Sequence, residues 1–303
     1  MDDVLARYAD LVPDYEAFRA ACDTPLPTVV RVNPIKADPE EAVAALREAG
    51  VGVTRRDWHP GVLELDTDSP GTTWPYVHGW IHGQEEVSAI PPTVLDPDPG
   101  DAVLDACAAP GGKAAQLAGG MDDRGTLVAN DDNLGRLAAL RSNADRLGVT
   151  CAAVTNRDAR DLDLDDFGFD AFDAALVDAP CSCEGTIRKN PSALDNWHEG
   201  YLETVSGTQK GILRKTVQNT RPGGRVAYAT CTFAPEENEA VLDHVLAREN
   251  CALVDFDVPL DSRPGVTEWQ GETYDESVRN AKRFYPHLND TGGFFVALLE
   301  VGR

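Results

Sequence analysis

The chain has 303 residues, 42% of them hydrophobic, which is enough for one large domain and a smaller companion. No apolar run approaches the roughly 20 residues that cross a bilayer, the start Met1-Asp2-Asp3 is no signal peptide, and seven scattered cysteines are no disulfide framework, so the chain reads as cytoplasmic. The net charge of −24, from 51 acidic and 27 basic residues of which only six are lysines, strains a compact fold until salt near 1 M screens it, which reads as a halophile's protein.

Val4, Leu5, Tyr8, Leu11 and Phe18 recur at helical spacing through the first 20 residues, and Val29–Asn33 reads as a short strand. A helix follows, with Asp38 as cap, Pro39 at its first position, Glu41 closing a capping box and Gly50 as the stop. A turn-rich, strand-rich stretch leads to Pro91-Pro92, so residues 1–85 form a small α/β module and 86–303 a second domain. From Asp101 the rhythm becomes strand, turn, helix. Residues 102–106, 126–130, 151–155, 174–178 and 225–230 read as buried strands, and 113–121, 134–147 and 203–219 as helices between them. That alternation predicts a doubly wound parallel sheet, in which ligands bind beyond the carboxyl ends of the strands. Asp105, Asp131, Asp178 and Cys231 stand at or just past such ends.

The turn from Asp105 to Lys113 contains Gly111-Gly112, where backbone can approach a ligand at a helix start. Cys107 and Ala114 break the phosphate-loop pattern, and the absence of Gly-x-Gly-x-x-Gly disfavours a dinucleotide oxidoreductase. Asp131 lies about twenty residues beyond the glycine turn, where an acid commonly binds ribose hydroxyls. Asp158 and Arg136 are weaker candidates in so acidic a chain. Asp178-Ala-Pro-Cys181-Ser-Cys183 sends a carboxylate and thiols off one strand end, without a second cysteine pair at zinc spacing. Thr230-Cys231-Thr232 leaves the next, feeding a helix whose first turn suits Pro235 and Glu236. These residues alone do not say which cysteine is the nucleophile.

The strings Cys107-Ala-Ala-Pro-Gly-Gly-Lys113, Asp178-Ala-Pro-Cys181 and Thr230-Cys-Thr232 make the chain resemble the Sun/Fmu-type RNA cytosine-C5 methyltransferases. The resemblance runs from Arg31-Val-Asn-Pro34 through Gln84-Glu-Glu86 to Phe284-Tyr-Pro-His287 and Gly292–Ala297. It departs at Cys183, where the family often has glycine, and at Ala114, where it has a hydroxyl residue. The resemblance implies a Rossmann-like class I methyltransferase sheet with an N-terminal RNA-binding module. It also implies that Cys231 attacks carbon 6 of cytosine, Asp178 serves N3 and Cys181 assists release. S-adenosyl-L-methionine would lie across Cys107, Ala108, Ala109, Pro110, Gly111, Gly112, Lys113, Asp131, Arg136, Asp158 and Asp178, with no metal.

The expected partner is RNA, transfer RNA favoured over ribosomal RNA, acted on by a monomer without a membrane. Phosphate binding argues against so acidic a protein, but basic residues cluster locally at Arg55-Arg56, Arg188-Lys189, Lys210/Arg214/Lys215 and Arg279/Lys282/Arg283. The alternative is a catalytically silent RNA-binding assembly factor on the same fold, against which the intact cysteines and Asp178 argue.

Overall fold

A computed structural model describes residues 2–195, 197–258 and 260–302. The helical periodicity of the first 20 residues resolves into two helices, α1 (Asp2–Ala6) and α2 (Tyr15–Cys22). Pro13 cannot continue a helix, and Asp14, at φ 54°, reverses the chain and caps α2 by accepting from the Ala17 amide at 3.3 Å.

Next come β1 (Thr28–Val32), α3 (Pro39–Glu48), β2 (Val53–Arg55), β3 (Val62–Leu65), α4 (Trp74–Val77) and β4 (Ile81–Gly83). The strands pair antiparallel in the order β2-β3-β1-β4. The capping box at Asp38 and Glu41 is present as expected, which satisfies amide groups that the first helical turn leaves open. Val30, Val32, Leu46 and Leu63 bury the inner face. By contrast, Leu5, Tyr8 and Phe18 of the N-terminal segment pack among Ile187, Phe233 and Tyr285, far along the chain.

The remaining elements are α5 (Ile90–Leu95), β5 (Ala102–Asp105), α6 (Gly112–Gly120), β6 (Thr126–Asn130), α7 (Leu134–Leu147), β7 (Ala152–Thr155), β8 (Phe172–Asp178), α8 (Glu199–Asn219), β9 (Thr220–Thr230), α9 (Glu239–Leu246), β10 (Cys251–Val254), β11 (Arg263–Pro264), β12 (Glu268–Trp269), β13 (Glu272–Thr273), β14 (Lys282–Phe284), α10 (Pro286–Asn289) and β15 (Phe294–Val301). Strands β7-β6-β5-β8-β9 are parallel, and β15 adds antiparallel to β9, followed by β14 and β11. The core is therefore the Rossmann-like sheet expected of the alternation, extended by an antiparallel edge.

Some boundaries differ: α8 begins four residues before the expected 203, and β9 five before the expected 225. Pro235 and Glu236 do not start a helix; residues 235–238 form turns and α9 begins at Glu239. The two sheets are joined through Asn33, whose side-chain amide donates to Gly79 O at 2.8 Å and to Leu147 O at 2.7 Å. Lys36 reaches Arg146 O at 2.7 Å, so two residues of the loop after β1 cap the carboxyl end of α7. Among the described residues no helix is long and apolar enough to cross a membrane.

Candidate active site

The parallel strands end together at one edge. Asp105 and Asp178 close β5 and β8, while Asp131 and Cys231 follow β6 and β9. Cys181 Sγ lies 3.2 Å from Cys231 Sγ and 3.8 Å from Cys183 Sγ, although fifty residues of chain separate the first pair. Asp178 accepts a hydrogen bond from Lys113 Nζ at 2.8 Å.

Two buried glutamates hold the cysteine loops together. Glu237 accepts from the Ser182 amide at 3.0 Å and from Gln209 Nε2 at 2.9 Å, and Gln209 also donates to Pro180 O at 2.8 Å. Glu184 accepts from Tyr8 at 2.7 Å and from Thr232 at 2.9 Å, tying the turn after α1 to both loops. Gly185 donates to Cys231 O at 2.9 Å and accepts from the Gly293 amide at 2.8 Å. A Cβ on Gly185 would come within 2.2 Å of Gly293 O, so glycine is required there by backbone against backbone. Glu85 accepts from the Gly292 amide at 2.9 Å. Segments 84–86, 181–186 and 292–293, remote in sequence, thus meet around the thiols.

A cavity of about 360 Å³ is lined by Cys107, Asp131, Arg136, Asp158, Asp178 and the three thiols. A second, of about 180 Å³, shares Cys107 and Asp178 with it and adds Ala108, Ala109, Pro110, Gly112 and Lys113. Gly111 lines neither. Its φ is +106° and a Cβ would stand 2.9 Å from Leu140 Cδ1, so this glycine permits packing against α7 rather than approach to a ligand. Asp131 accepts from the amides of Ala109 at 3.1 Å and Asn133 at 3.0 Å, and Arg136 pairs with it at 3.4 Å. Asp158 is tied to Arg160 and stands at the cavity rim.

Asp105 carries chemistry that sequence spacing left unassigned. It is fully buried, lines the smaller cavity, and neither carboxylate oxygen has a hydrogen-bond partner among the described residues. Burial, with Asp178 nearby, pushes its pKa up to about 8. Its place at a strand end was the available signal. Burial opposes the charge on Lys113, but Asp178 prevails and holds the ammonium above its ordinary range. In the thiol trio, hydrogen bonds from Cys181 and Cys231 pull Cys183 down to about 3. Cys181 is raised chiefly by Cys183 and Cys231; on Cys231 a hydrogen bond with Cys181 favours the anion, but Cys183 and burial raise it overall. Three sulfurs this close share one negative charge, because each later ionisation opposes the first.

The basic clusters largely dissolve into the fold. Arg188 is buried, bonding Thr24 O at 2.9 Å and Asp290 at 2.6 Å, and Arg283 is buried against Glu239. Arg55, Arg56, Arg214, Arg279 and Lys282 are each paired with an acid. Lys189 lines the smaller cavity and enters no ion pair among the described residues.

Residues 92–300 match the family described as 16S rRNA methyltransferase RsmB/F, and residues 4–71 match the RsmF/B-like, ferredoxin-like domain. The tRNA (cytosine(49)-C(5))-methyltransferase of Pyrococcus abyssi is 36% identical, across 99% of this chain and 96% of that protein. Ribosomal RNA small subunit methyltransferase F of Vibrio parahaemolyticus is 33% identical across 99% of this chain, which spans only 63% of that longer protein. The crystal structure of a methyltransferase homolog protein from Pyrococcus horikoshii superposes with a TM-score of 0.83 at 30% identity, covering 99% of both chains.

Proposed function

We propose, since the chain belongs to the RsmB/F family of RNA cytosine-C5 methyltransferases, that it methylates carbon 5 of a cytosine in transfer RNA through a covalent bond from Cys231. The observation that carries this reading is the meeting of Cys181 and Cys231 at 3.2 Å, beside Asp178, beyond adjacent strands. The tRNA relative is 36% identical to this chain and the ribosomal relative 33%, which supports a transfer RNA substrate.

Carbon 5 of cytosine is a weak nucleophile until a thiolate adds to carbon 6. Cys231 makes that bond, and a proton shifts within the thiol trio to free its sulfur. Asp178, positioned by Lys113, presents its carboxyl group to N3, giving a proton to it as Cys231 adds to carbon 6 and taking that proton back on release. S-adenosyl-L-methionine, when bound, supplies an electrophilic methyl group. As the Cys231–carbon 6 bond breaks, Cys231 leaves as the thiolate it began as, and Cys181 assists the carbon 5 proton on its way to solvent, one proton for each methyl group transferred. The residues fit this cofactor: Asp105 offers an unpartnered buried carboxylate to its cationic end, and Asp131, Arg136 and Asp158 line the cavity where ribose and base would lie. Cys107 to Lys113 would hold the remainder, Gly111 acting through packing. The nucleotide must leave its stack to reach this buried site. Residues 1–85 would present RNA while residues 86–303 carry the chemistry, with α1 and α2 bracing the cysteine loops.

The test is a pair of variants analysed on a denaturing gel with RNA and cofactor. Cys181→Ala should accumulate a protein–RNA adduct, and Cys181→Ala combined with Cys231→Ala should show none. An adduct surviving in the double variant would remove Cys231 as the attacking thiol.

A further inference from the structure

Of the three clustered thiols, Cys183 is the one to which the methyl-transfer scheme gives no part, and its backbone is unusual. It sits at φ 61°, ψ 21°, a left-handed conformation that glycine adopts freely and a cysteine does not. That turn brings its sulfur 3.3 Å from Cys181 O and into contact with Cys181 Sγ at 3.8 Å. A thiol is therefore kept where the backbone favours no side chain at all, and strain of this kind marks functional positions.

Sequence spacing offered no second cysteine pair to complete a metal site. The fold provides the missing ligand from β9, and the Sγ atoms of Cys181, Cys183 and Cys231 all lie within 4.8 Å of one another. Zinc bonded to thiolates at about 2.3 Å in tetrahedral geometry sets its sulfurs about 3.8 Å apart. The separations of 3.2 and 3.8 Å, with the third within 4.8 Å, lie no more than about 1 Å from that spacing. The cavity of about 360 Å³ opens onto the same sulfurs and leaves a fourth position for water. Three thiolates around a divalent cation carry one net negative charge; Arg136 lies near Cys183 and Lys113 near Cys231, each also paired with an aspartate. Soft thiolates select zinc, copper(I) and similar cations over magnesium or calcium.

We propose that Cys181, Cys183 and Cys231 form a three-thiolate site for a thiophilic cation, and that its occupancy switches the enzyme off. Binding forms three metal–sulfur bonds, and thiols still protonated release their protons to solvent. No electron is transferred, so a chelator reverses it. While the cation is bound, no sulfur is available to attack carbon 6. This consequence rests on the assignment of Cys231; the site itself does not.

The experiment titrates cobalt(II) and zinc(II) into the chelator-treated, reduced full chain. One equivalent of cobalt should produce sulfur-to-metal charge-transfer absorption, which zinc then displaces. Cys183→Gly suits the left-handed backbone and should fold. It should lose at least about 100-fold in zinc affinity, since two thiolates remain where three were. Unchanged affinity in Cys183→Gly overturns the site. So does cobalt that binds without the sulfur absorption, because the metal then sits on surface carboxylates, and so does an absence of binding. Methylation should stop at one equivalent of zinc and return with chelator. Bound cobalt with full sulfur absorption but undiminished methylation would leave the site standing and refute Cys231 as nucleophile.

Discussion

Asp105 is the residue whose environment makes the sharpest solution prediction. Its native pKa, pushed up to about 8 by burial and by Asp178, lies above the roughly 3.9 of an unfolded chain. The native state therefore keeps this proton after the unfolded chain has lost it. Its contribution to stability falls as pH rises from about 4 to about 8. Asp105→Asn removes that dependence. Thermal stability of the variant relative to wild type should climb across this window, while affinity for S-adenosylmethionine drops at least about tenfold through loss of one charge-assisted contact. A difference flat in pH would mean that Asp105 is not protonated in the free protein. Asp178→Asn, which keeps shape but cannot exchange a proton with N3, should lower kcat by several powers of ten. A loss below tenfold would assign ring activation to another group, of which Lys113 is the nearest.

Among the elements, the parallel strands and the helices between them were legible because strands buried on both faces are continuous apolar runs. Residues 126–130 and 134–147 agree with β6 and α7 at both ends. The packing of α1 and α2 was not legible, since Leu5, Tyr8 and Phe18 declare only that they are buried, not against what. Cys231 and Asp178 were found by their places at strand ends. The glutamate braces were hidden in the acidic composition, where Glu184 and Glu237 look like any of the 51 acids. The start of α9 was misplaced for the same reason, as Glu237 bonds Ser182 and Gln209 instead of serving a first helical turn. Tyr8→Phe tests the brace from the turn after α1. It leaves Glu184 short of a donor and should destabilise by about 1–3 kcal/mol, seen as a lower denaturant midpoint at unchanged slope. Turnover should fall further than cofactor affinity, because the cysteine loops loosen while the strand ends holding Asp105 and Asp131 do not. Equal losses in both would make Tyr8 a packing residue only.

For the whole molecule, a charge of −24 opposes compactness at low ionic strength. Raising potassium chloride from dilute to about 1 M shortens the screening length from tens of ångströms to about 3 Å, so the melting temperature should rise steeply. RNA affinity should weaken only gently over the same range, because most arginines of the basic clusters are already bound to acids and few phosphate contacts exist to lose. A melting temperature indifferent to salt would contradict the first expectation. A steep salt dependence of RNA binding would contradict the second.

The central claim, attack by Cys231 on a cytosine whose carbon 5 is then methylated, is tested most directly by RNA transcribed with tritium at carbon 5. Adding a methyl group there expels that hydrogen into water. The wild type with S-adenosylmethionine should release tritium in step with methyl incorporation, one for one, and Cys231→Ala should release none while still binding cofactor. Methyl transfer without tritium release, or release undiminished in Cys231→Ala, would contradict the account.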